Sequence, residues 1–231
     1  MQYWEEKADE PYRVPDDIQD ISFKINGGTL PIDHAWALYQ ALKSALPWLD
    51  DEPQAAIHEI HVAASGNGWF RPEDAENEIL CLSRRTRMYI RLPKERLDDA
   101  KALSGQTLDV DGHLLTLGTS SLKPLSTLGT QFSRHIITDE AGFADEMAFM
   151  HQVAERMRTM RIGIRRMMCG RSQRINTPDG TLLTRSVMFA DMEPEDAVHL
   201  QQHGMGEHQK LGCGIFIPHK GIDPVSSPKD D

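Results

Sequence analysis

The predicted elements of this chain of 231 residues occur in one order, strand-helix-strand-strand-helix-strand, which is repeated in the two halves. An alternating apolar run at 18–25 predicts a strand, and a turn follows at 26–28. Apolar spacing then predicts a helix that starts near Pro31, with Asp33 as its N-cap, and stops at Pro47. A short strand at 55–64, a longer strand through 78–83 and 87–93, a helix at 94–105 and a hairpin turning at Asp111-Gly112 complete the first pass.

The second pass begins after Pro124. It runs through a strand at 132–138, a helix at about 143–160, two hairpin strands at 161–170 and 182–192, a helix from Glu193 and a last strand at 214–218. This doubled order predicts an α+β protein with tandem ferredoxin-like (RRM-like) folds, each an antiparallel four-stranded sheet with helices on one face. We expect an acidic N-terminal extension at 1–19, a first domain at 20–120, a second domain at 121–222 and a disordered tail at 223–231.

Composition argues against several classes of protein. No apolar run approaches the roughly 18 residues that cross a bilayer, and the N-terminus is acidic where a signal peptide is basic and then apolar. We therefore expect a cytoplasmic protein without a membrane partner. The three cysteines, Cys81, Cys169 and Cys213, are too scattered for a disulfide framework or a zinc site. No nucleotide-binding or metalloprotease motif occurs, so we expect neither a cofactor nor a metal.

Charge is distributed unevenly along the chain. The formal net charge of −10 argues at first sight against a polyanionic partner. From Met150 to Ser186, however, eight arginines face only two acids. Five of these arginines lie in or beside the predicted hairpin: Arg165, Arg166, Arg171, Arg174 and Arg185. This stretch can meet a polyanion, or it can be a solvated helix face and hairpin whose arginines pair with the acidic N-terminal half.

A glycine-rich segment lies between the last predicted helix and the last strand. Its four glycines bracket Lys210 and are Gly204, Gly206, Gly212 and Gly214. Glycines let backbone N–H groups approach a phosphate closely, and a lysine adds a point charge there. A helix C-cap at Gly204 followed by a bulge at Gly212 is the alternative explanation of the same pattern.

Histidines supply the other candidate chemistry. His34 lies at the start of the first predicted helix, with Tyr39 about one and a half turns further on. Neutral imidazole is a usable base near pH 7, and the N-terminal end of a helix favours its uncharged form. The simpler interpretation of His34 is a capping or packing residue. His58 and His61 are assigned to structure, because in a strand positions 58 and 61 point to opposite faces.

Four segments together resemble one known family: GGTLPIDHAWALYQAL at 27–42, SRRTRMYIRLP at 83–93, QFSRHIIT at 131–138 and GMGEHQKLGCGIFIP at 204–218. Over about residues 20–219 the chain is similar to the Cas-six (Cas6) family of CRISPR repeat-RNA endoribonucleases, in particular to its Myxan-subtype branch. The glycine-rich end is typical of the wider superfamily of repeat-associated RNA-binding (RAMP) proteins. The LPIDHAWALY block is typical of the branch.

The resemblance implies tandem ferredoxin-like folds and one cut in each CRISPR repeat, which yields mature guide RNA. It matches the family's active-site histidine to His34, with Tyr39 as a supporting residue. The implied chemistry is metal-independent: an RNA 2′-OH attacks the adjacent phosphate and leaves 2′,3′-cyclic phosphate and 5′-OH ends, with His34 as base or acid. Lys210 is the first candidate for the cation that stabilises the transition state, and Arg134 is the second.

The basic hairpin indicates how such an RNA is held. The five hairpin arginines suit an A-form stem, which is read mainly through shape and phosphate contacts. We expect the four glycines and Arg134 to contact RNA as well. The alternative function is a non-catalytic subunit that binds the repeat stem-loop within a CRISPR effector complex, whose other subunits are then further partners.

Overall fold

A computed structural model of this protein describes residues 12–62 and 79–220. The predicted tail at 223–231 and much of the predicted N-terminal extension lie outside these residues. The elements are β1 (Ile18–Asn26), β2 (Thr29–Pro31), α1 (Ala35–Ala45), β3 (Ala56–Ile57), β4 (Ile79–Cys81), β5 (Arg87–Pro93), α2 (Leu97–Lys101), β6 (Thr107–Val110), β7 (His113–Lys123), β8 (Gln131–Ile137), α3 (Glu140–Ala144), α4 (Glu146–Thr159), β9 (Arg166–Thr177), β10 (Gly180–Ala190), α5 (Pro194–His203) and β11 (Ile217–Pro218). Within the described ranges, no helix is long and apolar enough to cross a membrane.

The first half of the chain forms an antiparallel sheet with the order β3-β5-β1-β7-β6. Alternation along β1 sends Ile21 and Phe23 to one face, where they pack with Leu38 and Leu42 of α1 in a buried core. Asp111 and the glycine after it both have positive φ, as the predicted tight hairpin requires. That hairpin adds β6 as a fifth strand, so the prediction of four strands is wrong for this sheet.

The second half forms an antiparallel sheet with the order β11-β8-β10-β9, which has the predicted four strands. Phe149, Val153 and Met157 of α4 are buried in its core. Where a single helix was predicted at 143–160, the structure has two helices, α3 and α4. Asp145 interrupts them because its backbone is extended and its side chain accepts the N–H of Ala148, which caps α4.

Three further predictions about local structure are corrected. Within its described residues, 55–62, the strand predicted at 55–64 is restricted to β3. The strand predicted through 78–83 and 87–93 is two strands, because β4 pairs with β2 in a separate two-stranded sheet while β5 joins the first sheet. Asp33 is not the N-cap of α1. Its carboxylate accepts the backbone N–H and the side-chain amide of Asn176 at 3.1 and 2.9 Å, and His34 takes the cap position.

A buried guanidinium joins the two halves of the chain. Arg91 on β5 is 2% exposed and donates to both carboxylate oxygens of Asp20 on β1, at 2.8 and 3.1 Å. The same side chain donates to the backbone carbonyls of Gln201 at 2.7 Å and Phe216 at 3.1 Å. One residue of the first half thereby satisfies two carbonyl groups of the second half.

Candidate functional site

A cleft of about 930 Å³ opens between the two main sheets. Its first wall is the face of the first sheet that α1 does not cover, where Asp20 and Tyr89 lie. Its second wall comes from β8 and β11. The segment after β3 contributes further lining residues, namely His58, Glu59, His61 and Val62. The strand alternation that buries the apolar side chains of β1 under α1 therefore directs Asp20 of that strand into this cleft.

Cations and aromatic rings are combined in this cleft. Its lysine and arginine side chains are Arg85, Arg87, Lys123 and Arg134. The Lys123 ammonium lies 5.8 Å from the centre of the Tyr89 ring, and the rings of Phe132 and His219 are 6.0 Å apart. Basic groups that track a backbone, together with rings on which bases stack, are the combination that binds single-stranded nucleic acid.

The two acids of the lining are held in ion pairs. Burial opposes ionisation of Asp20, but Arg91 and His58 outweigh it and hold the pKa of Asp20 well below its usual value. Burial likewise opposes ionisation of Glu59, and the hydrogen bond from His135 with the charges around it lowers the pKa of Glu59 overall. Both carboxylates are therefore ionised at neutral pH, but neighbouring groups of the protein compensate their negative charge. They do not give the cleft an acidic rim.

Glu59 is the centre of a cluster that faces the cleft. Its Oε2 atom lies 3.0 Å from His135 Nε2, 3.4 Å from Arg134 Nε and 3.7 Å from His61 Nε2. His135 is buried and its Nδ1 also bonds the hydroxyl of Thr184 at 3.0 Å. His61 is the outermost member, with 41% of its side chain exposed.

His34, the predicted catalytic histidine, is fully buried. Its Nδ1 lies 2.8 Å from the carbonyl oxygen of Pro31 and 3.0 Å from that of Ile32, so Nδ1 carries the proton and donates. Its Nε2 accepts the backbone N–H of Ile60 at 3.0 Å. Burial lowers the pKa of His34, although Glu59 and the two carbonyls oppose that effect. Both ring nitrogens are therefore occupied by backbone groups.

Tyr39 and Lys210 come together at a different place, beyond the C-terminal end of α1. The Tyr39 hydroxyl donates to the carboxylate of Asp50, which also pairs with Lys43. Lys210 donates to the backbone carbonyl of Asp50 at 2.7 Å. In the described part of the chain no hydrogen bond links either residue to His34. The three predicted catalytic residues are thus divided between the two ends of α1.

The predicted glycine-rich segment is a compact turn that packs against itself. All four of its glycines have positive φ. A Cβ added at Gly214 would lie 2.2 Å from the carbonyl oxygen of Met205, and Gly204 is the C-cap of α5. Gly212 follows a 3₁₀ turn at 209–211 and not a β-bulge, and it packs on the backbone of Ile57 and Glu59. The requirements of the turn itself account for these glycines.

The five hairpin arginines do not form one surface. Arg165 and Arg166 are exposed and pair with Glu193 and Asp191 respectively. Arg171 is exposed, and the guanidinium of Arg174 lies 4.5 Å from the centre of the Phe143 ring. Arg185 is separate from them, because it is buried and donates to the backbone carbonyls of Gly170 and Gly142.

Sequence reasoning missed the histidines of the cleft. His58 and His61 were expected on opposite faces of a strand, yet both line the same cleft, because β3 ends before His58 and alternation does not extend to them. The sequence signal was the run HEIH, in which polar residues stand next to a buried isoleucine. Among the described residues, no cluster of three or more histidines, cysteines or acids could hold a metal ion.

Comparison with known proteins identifies the family. The family model described as Cas6 Crispr matches residues 19–221. This chain belongs to the Cas6 family. The family predicted from the four sequence segments is therefore confirmed. A curated relative, the CRISPR-associated endonuclease Cas6 of Myxococcus xanthus strain DK1622, is 28% identical over 201 residues, which are 86% of this chain and 80% of the relative.

Two solved structures share the fold of this Cas6 protein. A CRISPR associated protein Cas6 has a TM-score of 0.56 and 11% identity, and the match covers 88% of this chain and all of the other. A RAMP protein that binds different RNA substrates also has a TM-score of 0.56, with 17% identity and coverage of 87% and 100%. These similarities agree with a mixed α and β protein built on antiparallel sheets.

Proposed function

We propose that this Cas6 protein is an endoribonuclease that cuts CRISPR repeat RNA and stays bound to the guide RNA it produces. The Myxococcus xanthus relative is named as a CRISPR-associated endonuclease, and the RAMP protein of similar fold is described as binding RNA. The observation that carries the proposal is the cleft, because it combines a basic rim, stacking rings and a histidine cluster in one space of about 930 Å³.

The fold supports a division into two ferredoxin-like domains at 20–120 and 121–222. In the second half, the strand order β11-β8-β10-β9 is that of a ferredoxin-like unit whose first and third strands are central. In the first half, the order β3-β5-β1-β7 is the same once β6 is set aside as an added edge strand. We propose that RNA lies between the open faces of these two domains.

The proposed contacts to RNA are of two kinds. Arg85, Arg87, Lys123 and Arg134 face the cleft and are suited to the phosphates of an unpaired strand. Arg165, Arg166, Arg171 and Arg174 are exposed along and beside β9 and are suited to the backbone of a stem. Arg185 supports the hairpin from within, and the four glycines shape the turn that carries Lys210.

The proposed reaction needs no metal, because RNA carries its own nucleophile. The 2′-OH attacks the neighbouring phosphorus, the bond to the 5′-oxygen breaks, and the products have 2′,3′-cyclic phosphate and 5′-OH ends. The protein must position the phosphate, move protons and stabilise negative charge, and a positioned acid or base typically contributes about 10²–10⁴-fold.

His34 is proposed to be required for cleavage, as the resemblance implies. Its burial means that Nε2 must release the Ile60 N–H before it can touch RNA, or that it acts through another residue. Tyr39 and Lys210 are proposed to act together where both meet Asp50, and an RNA phosphate is a competing partner for the Lys210 ammonium.

The function is tested with purified protein, a repeat RNA and excess EDTA. Cleavage should proceed, and the downstream product should be labelled by polynucleotide kinase without prior phosphatase treatment, because its 5′ end is a hydroxyl. The upstream product should resist 3′ labelling until its cyclic phosphate is removed. Cleavage that appears only when Mg²⁺ is added contradicts the metal-independent reaction.

The second candidate function is a repeat-RNA-binding subunit of a CRISPR effector complex that does not cut. The observation that favours it is the full burial of His34 with both ring nitrogens bonded to backbone. Tight binding of repeat RNA without any cleavage, with or without divalent metal, supports this alternative and rejects the enzyme.

A further inference from the structure

Four of the described histidines line the cleft, and the three that surround Asp20 and Glu59 differ in how much solvent can reach them. His135 is buried, and only 11% of the His58 side chain is exposed, where it lies 3.3 Å from Asp20. His61 has 41% of its side chain exposed and projects into the same cleft. An imidazole must reach the nucleophile to move its proton, so His61 is the best placed of these three.

The surroundings of His61 resemble the parts that a metal-free RNA cleavage needs. Glu59 is largely buried and ionised, and its Oε2 lies 3.7 Å from the His61 imidazole and 3.4 Å from the Arg134 guanidinium. Because both groups lie within 4 Å of the same oxygen, they are close enough to reach one phosphodiester. A base and a cation, from different parts of the cleft lining, are thus held beside one carboxylate.

His34 supports this arrangement from the buried side of the segment that carries Glu59 and His61. Its Nε2 accepts the N–H of Ile60, the residue between Glu59 and His61. Its Nδ1 is anchored to the carbonyl oxygens of Pro31 and Ile32 before α1. The buried imidazole therefore fixes the backbone that carries both members of the Glu59 and His61 pair.

We propose that His61 is a catalytic residue of the cleft, that Arg134 stabilises the charged phosphate during cleavage, and that His34 is a positioning residue that holds His61. This proposal rests on the proposed RNA cleavage. His61 takes the proton of the attacking 2′-OH, the 2′-oxygen bonds to phosphorus, and the bond between phosphorus and the 5′-oxygen breaks. The 5′-oxygen takes a proton from water, and His61 returns its proton to solvent.

The charges around His61 keep it in the form that a base requires. Partial desolvation against the cleft wall lowers the pKa of His61 to about 4, with Glu59 raising it and Arg134, His34 and His135 lowering it further. The imidazole is then neutral at pH 7. The acid limb of the kcat/KM profile, which reports the free enzyme, should therefore lie below pH 6.5 and should be absent in His61→Gln.

The first test compares His61→Ala with His151→Ala, a control at an exposed histidine on α4. Under single-turnover conditions with saturating protein, His61→Ala should lose about 10²–10⁴-fold in cleavage rate while its RNA affinity stays unchanged. His151→Ala should match the unaltered protein. If His61→Ala cuts at the unaltered rate, or if affinity falls in proportion to rate, His61 is not catalytic and the proposal is wrong.

The second test separates a catalytic imidazole from a positioning one. His61→Gly leaves an exposed vacancy, so added imidazole should restore part of its cleavage, whereas the buried site of His34→Gly should not respond. His34→Gln keeps an acceptor for the Ile60 N–H and should retain more activity than His34→Ala. Imidazole rescue at position 34 and not at 61 overturns the assignment. If the unaltered protein does not cut at all, the proposed function itself fails.

Discussion

Replacing Arg91 with methionine should strongly destabilise this protein, because it leaves the Asp20 carboxylate buried without its guanidinium. Both residues are less than 10% exposed, and the pair is joined by two hydrogen bonds. Removing one member of a buried ion pair typically costs about 3–5 kcal/mol. The carbonyls of Gln201 and Phe216 lose their donor as well, so we expect a value near the upper end, about 4–5 kcal/mol.

Urea unfolding followed by far-UV circular dichroism measures this loss. With a slope of about 2–3 kcal/mol per molar urea, the midpoint should fall by about 1.3–2.5 M. Lys94→Met is the matched control, because it breaks only the exposed, solvent-screened pair between Lys94 and Asp16 and should leave the urea midpoint nearly unchanged. Adding Asp20→Asn to Arg91→Met should restore part of the stability. A loss below about 1 kcal/mol in Arg91→Met would refute the reasoning.

Three further outcomes follow from the same structure. Gly214→Ala should lower the free energy of unfolding in urea by at least about 1–3 kcal/mol, because Gly214 has a φ of 67° and lies against Met205. Gly163→Ala is the control and should leave the stability unchanged, because open space surrounds Gly163. Phe132→Ala should weaken binding of an unpaired repeat RNA by about 1–3 kcal/mol in a fluorescence titration, with unchanged stem binding, if Phe132 is a stacking platform. Folding lowers the pKa of Glu59, so the ionised carboxylate contributes fully to the free energy of unfolding above the unfolded pKa near 4.5. This contribution is lost as the pH falls. In Glu59→Gln the free energy of unfolding should therefore change less between about pH 5 and 3 than in the unaltered protein.

The elements that local sequence determines were predicted well. Strand β1 and helix α5 occur where apolar spacing and a proline at the first helical turn predict them. The hairpin at Asp111 forms because an Asp-Gly pair accepts the positive φ values that a two-residue turn requires. These features depend on residues that are close together in the chain.

The features that sequence reasoning missed depend on distant partners. Asp33 looks like a helix cap, but it binds Asn176, 143 positions away. Arg185 belongs to the same basic stretch as the exposed hairpin arginines. It is buried because α3 packs against β10. His61 was expected on the opposite strand face from His58, but β3 ends at Ile57, so neither histidine lies in a strand. The local sequence pattern does not predict contacts between residues that are far apart in the chain.

The guanidinium of Arg91 also has a consequence for how the chain is made. The carbonyls that it binds belong to residues 110 and 125 positions later in the sequence. During synthesis the first half leaves the ribosome with this group present and these two acceptors not yet translated. The N-terminal sheet therefore reaches its final electrostatic state only after Phe216 has been translated, so the cleft cannot be finished before that point.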